Sequence, residues 1–121
     1  MNMDDDLHTN ISFFKNKVEE FIQERNWIKY HTPKNLIQAI MIEAAELSQC
    51  LLFKEDKLNI ILEDKTLLNN ISDEIADVFI YLISLINILN LDLTKIFVQK
   101  MEKNKEKYTI KEFNDGKYYK K

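Results

Sequence analysis

DEIADVFIYLISLINILNL, residues 73–91, carries three acids in its first five positions and then fourteen residues without a charge. Only Ser84, Asn87 and Asn90 relieve the apolar run, which is shorter than the roughly 20 residues a membrane span needs. It predicts the apolar helix of an all-α bundle, starting near Thr66 and ending near Asn90. Phe79, Ile80, Leu82, Ile83, Leu85, Ile86, Ile88 and Leu89 lie on most of its sides. A four-helix monomer exposes one side of each helix, so a helix this apolar needs further cover, which self-association would supply.

The rest of the 121-residue chain agrees with a helical reading. It holds one Gly and one Pro, where average usage would place about eight and six. All-β folds need turn residues that are missing here. Gly116 lies near the carboxyl end, so neither a glycine-rich dinucleotide fingerprint nor a P-loop is available to hold phosphates. The net charge of −3 is uneven: residues 1–99 carry 9 bases and 16 acids, and residues 100–121 carry 8 lysines and 4 acids. An acidic body argues against binding polymeric nucleic acid, which calls for a broad basic face. Cys50 is the single cysteine, which points to a reducing compartment. The opening MNMDDDLHTNIS is acidic and lacks an apolar leader core. A cytoplasmic protein with no membrane partner is expected.

Apolar residues at 11, 14, 18, 21 and 22 predict a first helix over residues 10–26, capped at Asn10 or Ser12. Trp27 to Pro33 read as a loop, with Thr32 as a cap and Pro33 as the first residue of a second helix reaching about residue 53. Residues 54–65 are charged and fit a loop or a short helix. Asp92 is the expected cap of a fourth helix from 93 to about 107. Residues 1–9 read as a flexible segment, 10–108 as one domain, and 109–121 as a polar tail.

The acids carry the chemistry. From Asn35 to Phe53 the only charges are Glu43 and Glu46, three apart and so on one helical face. Glu74 and Asp77 repeat the spacing on the next long helix. Two acidic pairs beside apolar surface repel each other unless protonated or joined by a cation. Oxygen donors without Cys or clustered His suit Mg²⁺ or Mn²⁺. The alternative is a solvated acidic stripe paired with Lys34 or Lys95. Asp73 reads as a surface acid, and Cys50 and Met41 as packing.

The blocks that contain these acids resemble the MazG-like, all-α nucleoside triphosphate pyrophosphohydrolases, whose mark is ExxE followed by ExxD. Here these are Glu43-Ala-Ala-Glu46 and Glu74-Ile-Ala-Asp77. Trp27-Ile-Lys-Tyr-His-Thr-Pro-Lys-Asn-Leu36, Asp73 to Leu82, and Lys100-Met-Glu-Lys-Asn104 with Lys107-Tyr108 are similar in order to the dCTP pyrophosphatase type. The likeness spans about residues 11–108. It implies a four-helix MazG-like bundle that oligomerises through apolar helix faces as a homodimer or homotetramer. It also implies Mg²⁺-dependent cleavage of nucleoside triphosphates, dCTP-like or non-standard, to the monophosphate and pyrophosphate, a house-cleaning role.

By the same resemblance, Glu43, Glu46, Glu74 and Asp77 hold the metal, and Glu46, or Glu43 through a bound water, is the base. Lys100, Asn104, Lys107 and Tyr108 grip phosphates, while Lys103 and Lys105 stay on the surface. Trp27, His31, Lys34, Asn35, Phe53 and Tyr81 border the nucleoside. Phe53 replaces a tryptophan usual in close relatives, and Ile42 replaces a frequent Glu. Two other readings compete. A di-iron carboxylate bundle would use Glu-x-x-His pairs, but neither His8 nor His31 follows a Glu by three. A non-catalytic helical metal-binding or interaction module remains.

Overall fold

A computed structural model describes residues 4–121, and no strand occurs among the described residues. The helices are α1 (Ile11–Glu24), α2 (Pro33–Gln49), a short α3 (Leu58–Glu63), α4 (Lys65–Ile88) and α5 (Leu93–Lys107), with a 3-10 turn at Ile28–Tyr30. The fold is all-α, as the sequence predicts, and residues 54–65 resolve into a turn, the short helix α3 and, through Asp64, the start of α4. Residues 1–3 of the expected amino-terminal segment lie outside the described residues. The chain divides into two compact units, one ending at Asn90 and one running from Leu91 to Lys121.

Side chains placed by the sequence start the helices. Asn10 accepts from the Phe13 amide at 3.2 Å, Thr32 from Asn35 at 3.2 Å, and Asp92 from Lys95 at 3.0 Å, each serving an otherwise orphan donor. Asp64 does the same for α4 by accepting from the Leu67 amide at 3.0 Å. That moves the start of α4 to Lys65, one residue before the expected Thr66.

Helix ends show how a chain with one glycine stops its helices. Asn26 (φ 55°) and Asn90 (φ 53°) take the left-handed conformation just past α1 and α4, which asparagine tolerates better than most residues. After α1 the Asn26 amide donates to the Gln23 carbonyl at 3.0 Å and the Trp27 amide to Ile22 at 3.1 Å. This pair of bonds is a Schellman ending, and it fixes the backbone of Trp27. The second helix ends at Gln49 rather than about 53, because the amides of Cys50, Leu51 and Leu52 bond three residues back at 3.1–3.3 Å. The tighter winding stops at Phe53, a left-handed residue at φ 59°.

In the first unit, α1, α2 and α3 each pack on α4. Its deepest apolar residues are Ile22, Leu36, Leu67, Ile83 and Ile86, three of them from α4. Each such side chain contributes about 1.5–3 kcal/mol by leaving water. The expected apolar helix is therefore the axis of this unit, and it sets α2 alongside the acids of α4.

The second unit consists of α5 and a chain reversal. Gly116, at φ 78°, supplies the positive angle that turns the backbone, with no neighbour crowding the position of a Cβ. The tail then meets the end of α5. Lys121 Nζ donates to Glu112 Oε2 at 2.5 Å and to the Lys107 carbonyl at 2.8 Å, and its amide donates to the Tyr108 hydroxyl at 2.8 Å. The Tyr119 hydroxyl donates to Glu112, and the Phe113 ring packs 5.5 Å from Tyr108 and 4.9 Å from Tyr119.

Candidate active site

The packing of α2 on α4 brings acids from both helices together. One carboxylate oxygen from each of Glu43, Glu46 and Glu74 lies within 4.8 Å of the others. Asp77, one turn further along α4, stands outside this trio but lines a cavity with Glu43. No lysine or arginine forms an ion pair with any of the four among the described residues, so neither Lys34 nor Lys95 pairs with them. Glu43 and Glu74 are half-buried, and one oxygen of each, Oε2, is shielded from solvent without a hydrogen-bond partner.

Electrostatics follow from that crowding. Loss of water, then the hydrogen bond and charge of Glu46, then the charge of Asp77 push the Glu43 carboxyl up to about 7. Burial, followed by the charge of Glu46, also raises Glu74. A cation removes both causes at once, the unpaired oxygens and the mutual repulsion. Three clustered carboxylates with no thiol or imidazole among them form a hard donor set, so the residues fit a divalent ion of the Mg²⁺ or Mn²⁺ kind.

Beside the acids lies a cavity of about 210 Å³, walled by Trp27, His31, Glu43, Asp77, Tyr81 and Ser84 among others. The Schellman ending of α1 and the 3-10 turn present Trp27, which stays 42% exposed and meets Phe21 edge to face at 5.7 Å. Tyr81 follows Asp77 by four residues on α4 and faces His31 with ring centroids 6.5 Å apart. Burial holds the His31 imidazole below its usual range, which favours the uncharged ring with one donor and one acceptor nitrogen. A cavity lined by both aromatic rings and carboxylates can stack a base and direct a phosphate chain toward a cation.

Other predicted residues sit differently. Phe53 is 99% exposed and does not line this cavity. It is neither core nor wall, because the left-handed backbone of the α2–α3 turn holds it out. Asn35 donates its side-chain amide to the Tyr30 carbonyl at 3.0 Å, bracing the loop that carries His31. Lys34, next to it, is exposed. In the second unit Lys100 is exposed and Asn104 half-buried on α5. Lys107 Nζ lies 5.6 Å from the Tyr108 ring centre, and the Tyr108 hydroxyl accepts from Lys121. Cys50 Sγ points back to the Glu46 carbonyl at 3.6 Å.

Sequence reasoning passed over two features. Ser84 reads as mere relief in an apolar run, yet its hydroxyl is buried at the cavity wall with no partner. The Glu112, Tyr119 and Lys121 cluster joins residues up to nine apart with no periodic pattern to announce it.

An all-α fold in which Glu43 and Glu46 of α2 meet Glu74 of α4 is the arrangement that the resemblance to the MazG-like pyrophosphohydrolases implies. Rat (Rattus norvegicus) dCTP pyrophosphatase 1 is 30% identical to the chain over 101 residues, covering 75% of the chain and 54% of that protein. The human (Homo sapiens) protein of the same name is 31% identical over 93 residues, covering 74% and 53%. A crystal structure of a pyrophosphatase from Archaeoglobus fulgidus superposes with a TM-score of 0.74 at 34% identity, covering 84% of this chain and 94% of that one. No protein-family model matches the chain. The chain spans about half the length of the curated relatives it matches. It belongs to the MazG-like superfamily, in the dCTP pyrophosphatase type.

Proposed function

We propose that the chain hydrolyses nucleoside triphosphates between the α- and β-phosphates, giving the monophosphate and pyrophosphate. The observation that carries this reading is the trio Glu43, Glu46 and Glu74, unneutralised and set beside an aromatic slot. Glu43, Glu46 and Glu74, with Asp77 adjoining, would hold Mg²⁺, with Mn²⁺ as a substitute. Bound there, such an ion would neutralise triphosphate charge and acidify a water molecule. Trp27 and Tyr81 stack the base, each contact being worth about 1–3 kcal/mol. Asn35 holds the loop of His31, and Lys34 and Phe53, which lie off the cavity wall, are assigned to the nucleoside on the strength of the family likeness alone. Lys100, Asn104, Lys107 and Tyr108 are assigned to the phosphates on the strength of the family likeness. The attacking water gives its proton to Glu46, the exposed member of the trio, or to Glu43.

The substrates proposed are dCTP-like or non-standard deoxynucleotides, whose removal keeps the nucleotide pool clean. The catalytic domain is read as residues 10–108, with 109–121 as an accessory tail. Further copies of the chain are the partners, as a homodimer or homotetramer, because Phe21, Ile37, Met41, Ile42, Ile80 and Leu82 are exposed in one chain. A stable monomer at micromolar concentration in sedimentation would contradict that. No single helix among the described residues is long and apolar enough to cross a membrane, and a cytoplasmic setting is proposed on the single cysteine of the sequence. The activity is tested with a panel of NTPs and dNTPs, by measuring pyrophosphate against orthophosphate. Equal amounts of monophosphate and pyrophosphate are expected, and dominant orthophosphate would refute α,β cleavage.

A further inference from the structure

Helix α4 carries two serines that behave differently. Ser72 Oγ donates back to the Leu68 carbonyl at 2.8 Å, the usual way a helical serine satisfies itself. Ser84 makes no such bond. The residue is only 4% exposed, and its hydroxyl is buried without a partner. A buried hydroxyl left unpaired is destabilising, so its persistence in a helix of aliphatic residues calls for a reason.

The surroundings supply one. Ser84 lies where two cavities meet, the acid-and-aromatic cavity of about 210 Å³ and a second of about 220 Å³ against α1, and His31 and Ile22 are the other residues common to both walls. Asp77, Tyr81 and Ser84 fall at intervals of four and three on α4, a single helical face. Seven residues of helix span about 10 Å along the axis. Along that line come the Asp77 carboxylate, the Tyr81 ring, and then the Ser84 hydroxyl, which shares both cavity walls with the His31 imidazole. This order matches a nucleotide laid along α4 with its phosphates toward Asp77 and its base edge at the far end.

We propose that Ser84 is a specificity-determining residue: its hydroxyl, together with the His31 ring, reads the polar edge of the nucleobase. A small side-chain rotation suffices, since the hydroxyl hydrogen turns freely and gives either a donor or an acceptor. Stacking on Trp27 and Tyr81 holds any base, whereas a directed hydroxyl separates one base from another. The inference rests on the nucleotide reading of the site and adds the group that chooses the base.

The test compares the full chain with its Ser84→Ala and Ser84→Thr variants. kcat/KM is measured for dCTP, dTTP, dATP and dGTP, and binding of their non-hydrolysable α,β-methylene analogues is measured by calorimetry. Melting temperatures are recorded in parallel. For Ser84→Ala the ratio between the best and worst base is expected to fall about tenfold in both kinetics and binding, chiefly through KM, the loss of roughly one hydrogen bond. Its melting temperature should be unchanged or higher. Ser84→Thr, which keeps the hydroxyl, should retain the wild-type ranking of bases. If wild type hydrolyses nucleotides and Ser84→Ala keeps the same ranking, the role of Ser84 is refuted while the activity stands. A lower melting point with unaltered selectivity would likewise make Ser84 structural. If wild type neither hydrolyses nor binds any nucleotide, the site reading fails and this inference fails with it.

Discussion

Two carboxylate environments in this molecule have opposite characters. In the first unit Glu43, Glu46 and Glu74 converge without a cation, two of their oxygens accept nothing, and the Glu43 carboxyl is pushed up to about 7. In the second unit Glu112 receives both the Lys121 ammonium and the Tyr119 hydroxyl, and these bonds hold its carboxyl below the usual range. One cluster is incomplete within the chain and the other is closed. On the proposed reading the first cluster is left unsatisfied because a ligand completes it, whereas the second is satisfied by its own chain.

Replacing a member of the open trio is expected to have the largest effect. Glu46→Gln should lower pyrophosphate release with Mg²⁺ about a hundredfold or more while the melting temperature stays at or above that of wild type, because one repelling charge is gone. Unchanged turnover would remove the trio from the reaction. Metal addition comes next. Mg²⁺ at about 100 times its dissociation constant adds about 2.7 kcal/mol to a protein that binds it only when folded. A corresponding rise in melting temperature is expected for wild type and for Glu112→Gln, and not for a Glu43→Gln, Glu74→Gln double variant.

The two regions should also respond to pH in opposite directions. Glu43 has a raised carboxyl, so between the ordinary carboxylate range and about 7 the folded chain holds a proton that the unfolded chain has lost. Its contribution to stability is therefore present in acid and fades as pH rises through about 7. Glu112 is depressed, and its contribution is present above the ordinary range and is lost as acid protonates the folded form. Melting curves of metal-free Glu43→Gln and Glu112→Gln against wild type from pH 4 to 8 read the two slopes separately. The first variant should gain on wild type as pH rises, and the second should fall behind it. The effect of Glu112→Gln is the smallest of these, a slight loss near neutral pH, since its partners lie at the surface.

Helix starts were legible because they depend on local chemistry. Asn10, Thr32 with Pro33, and Asp92 cap where their positions suggest. Asp64 was missed as a cap because it also closes α3, and a boundary between two helices has no loop signature. The end of α2 was misjudged because apolar residues continue past Gln49 while the backbone tightens and then turns at Phe53, an aromatic in a conformation that sequence rules reserve for Gly or Asn. The acids were legible because spacing by three on charge-free helices survives any detail of packing. Ser84 and the Glu112 cluster were not, since each takes its meaning from partners distant in sequence, or from the lack of any.

The central claim is that the open trio is completed by a divalent cation. Calorimetric titration of Mn²⁺ into the metal-free chain at pH 8 and pH 6 tests it most directly, with the Glu43→Gln, Glu74→Gln double variant alongside. The account predicts saturable binding to wild type at pH 8, weaker binding at pH 6 where protons compete at Glu43, and none to the double variant. Equal binding by both proteins, or no saturable binding to wild type at pH 8, would contradict it.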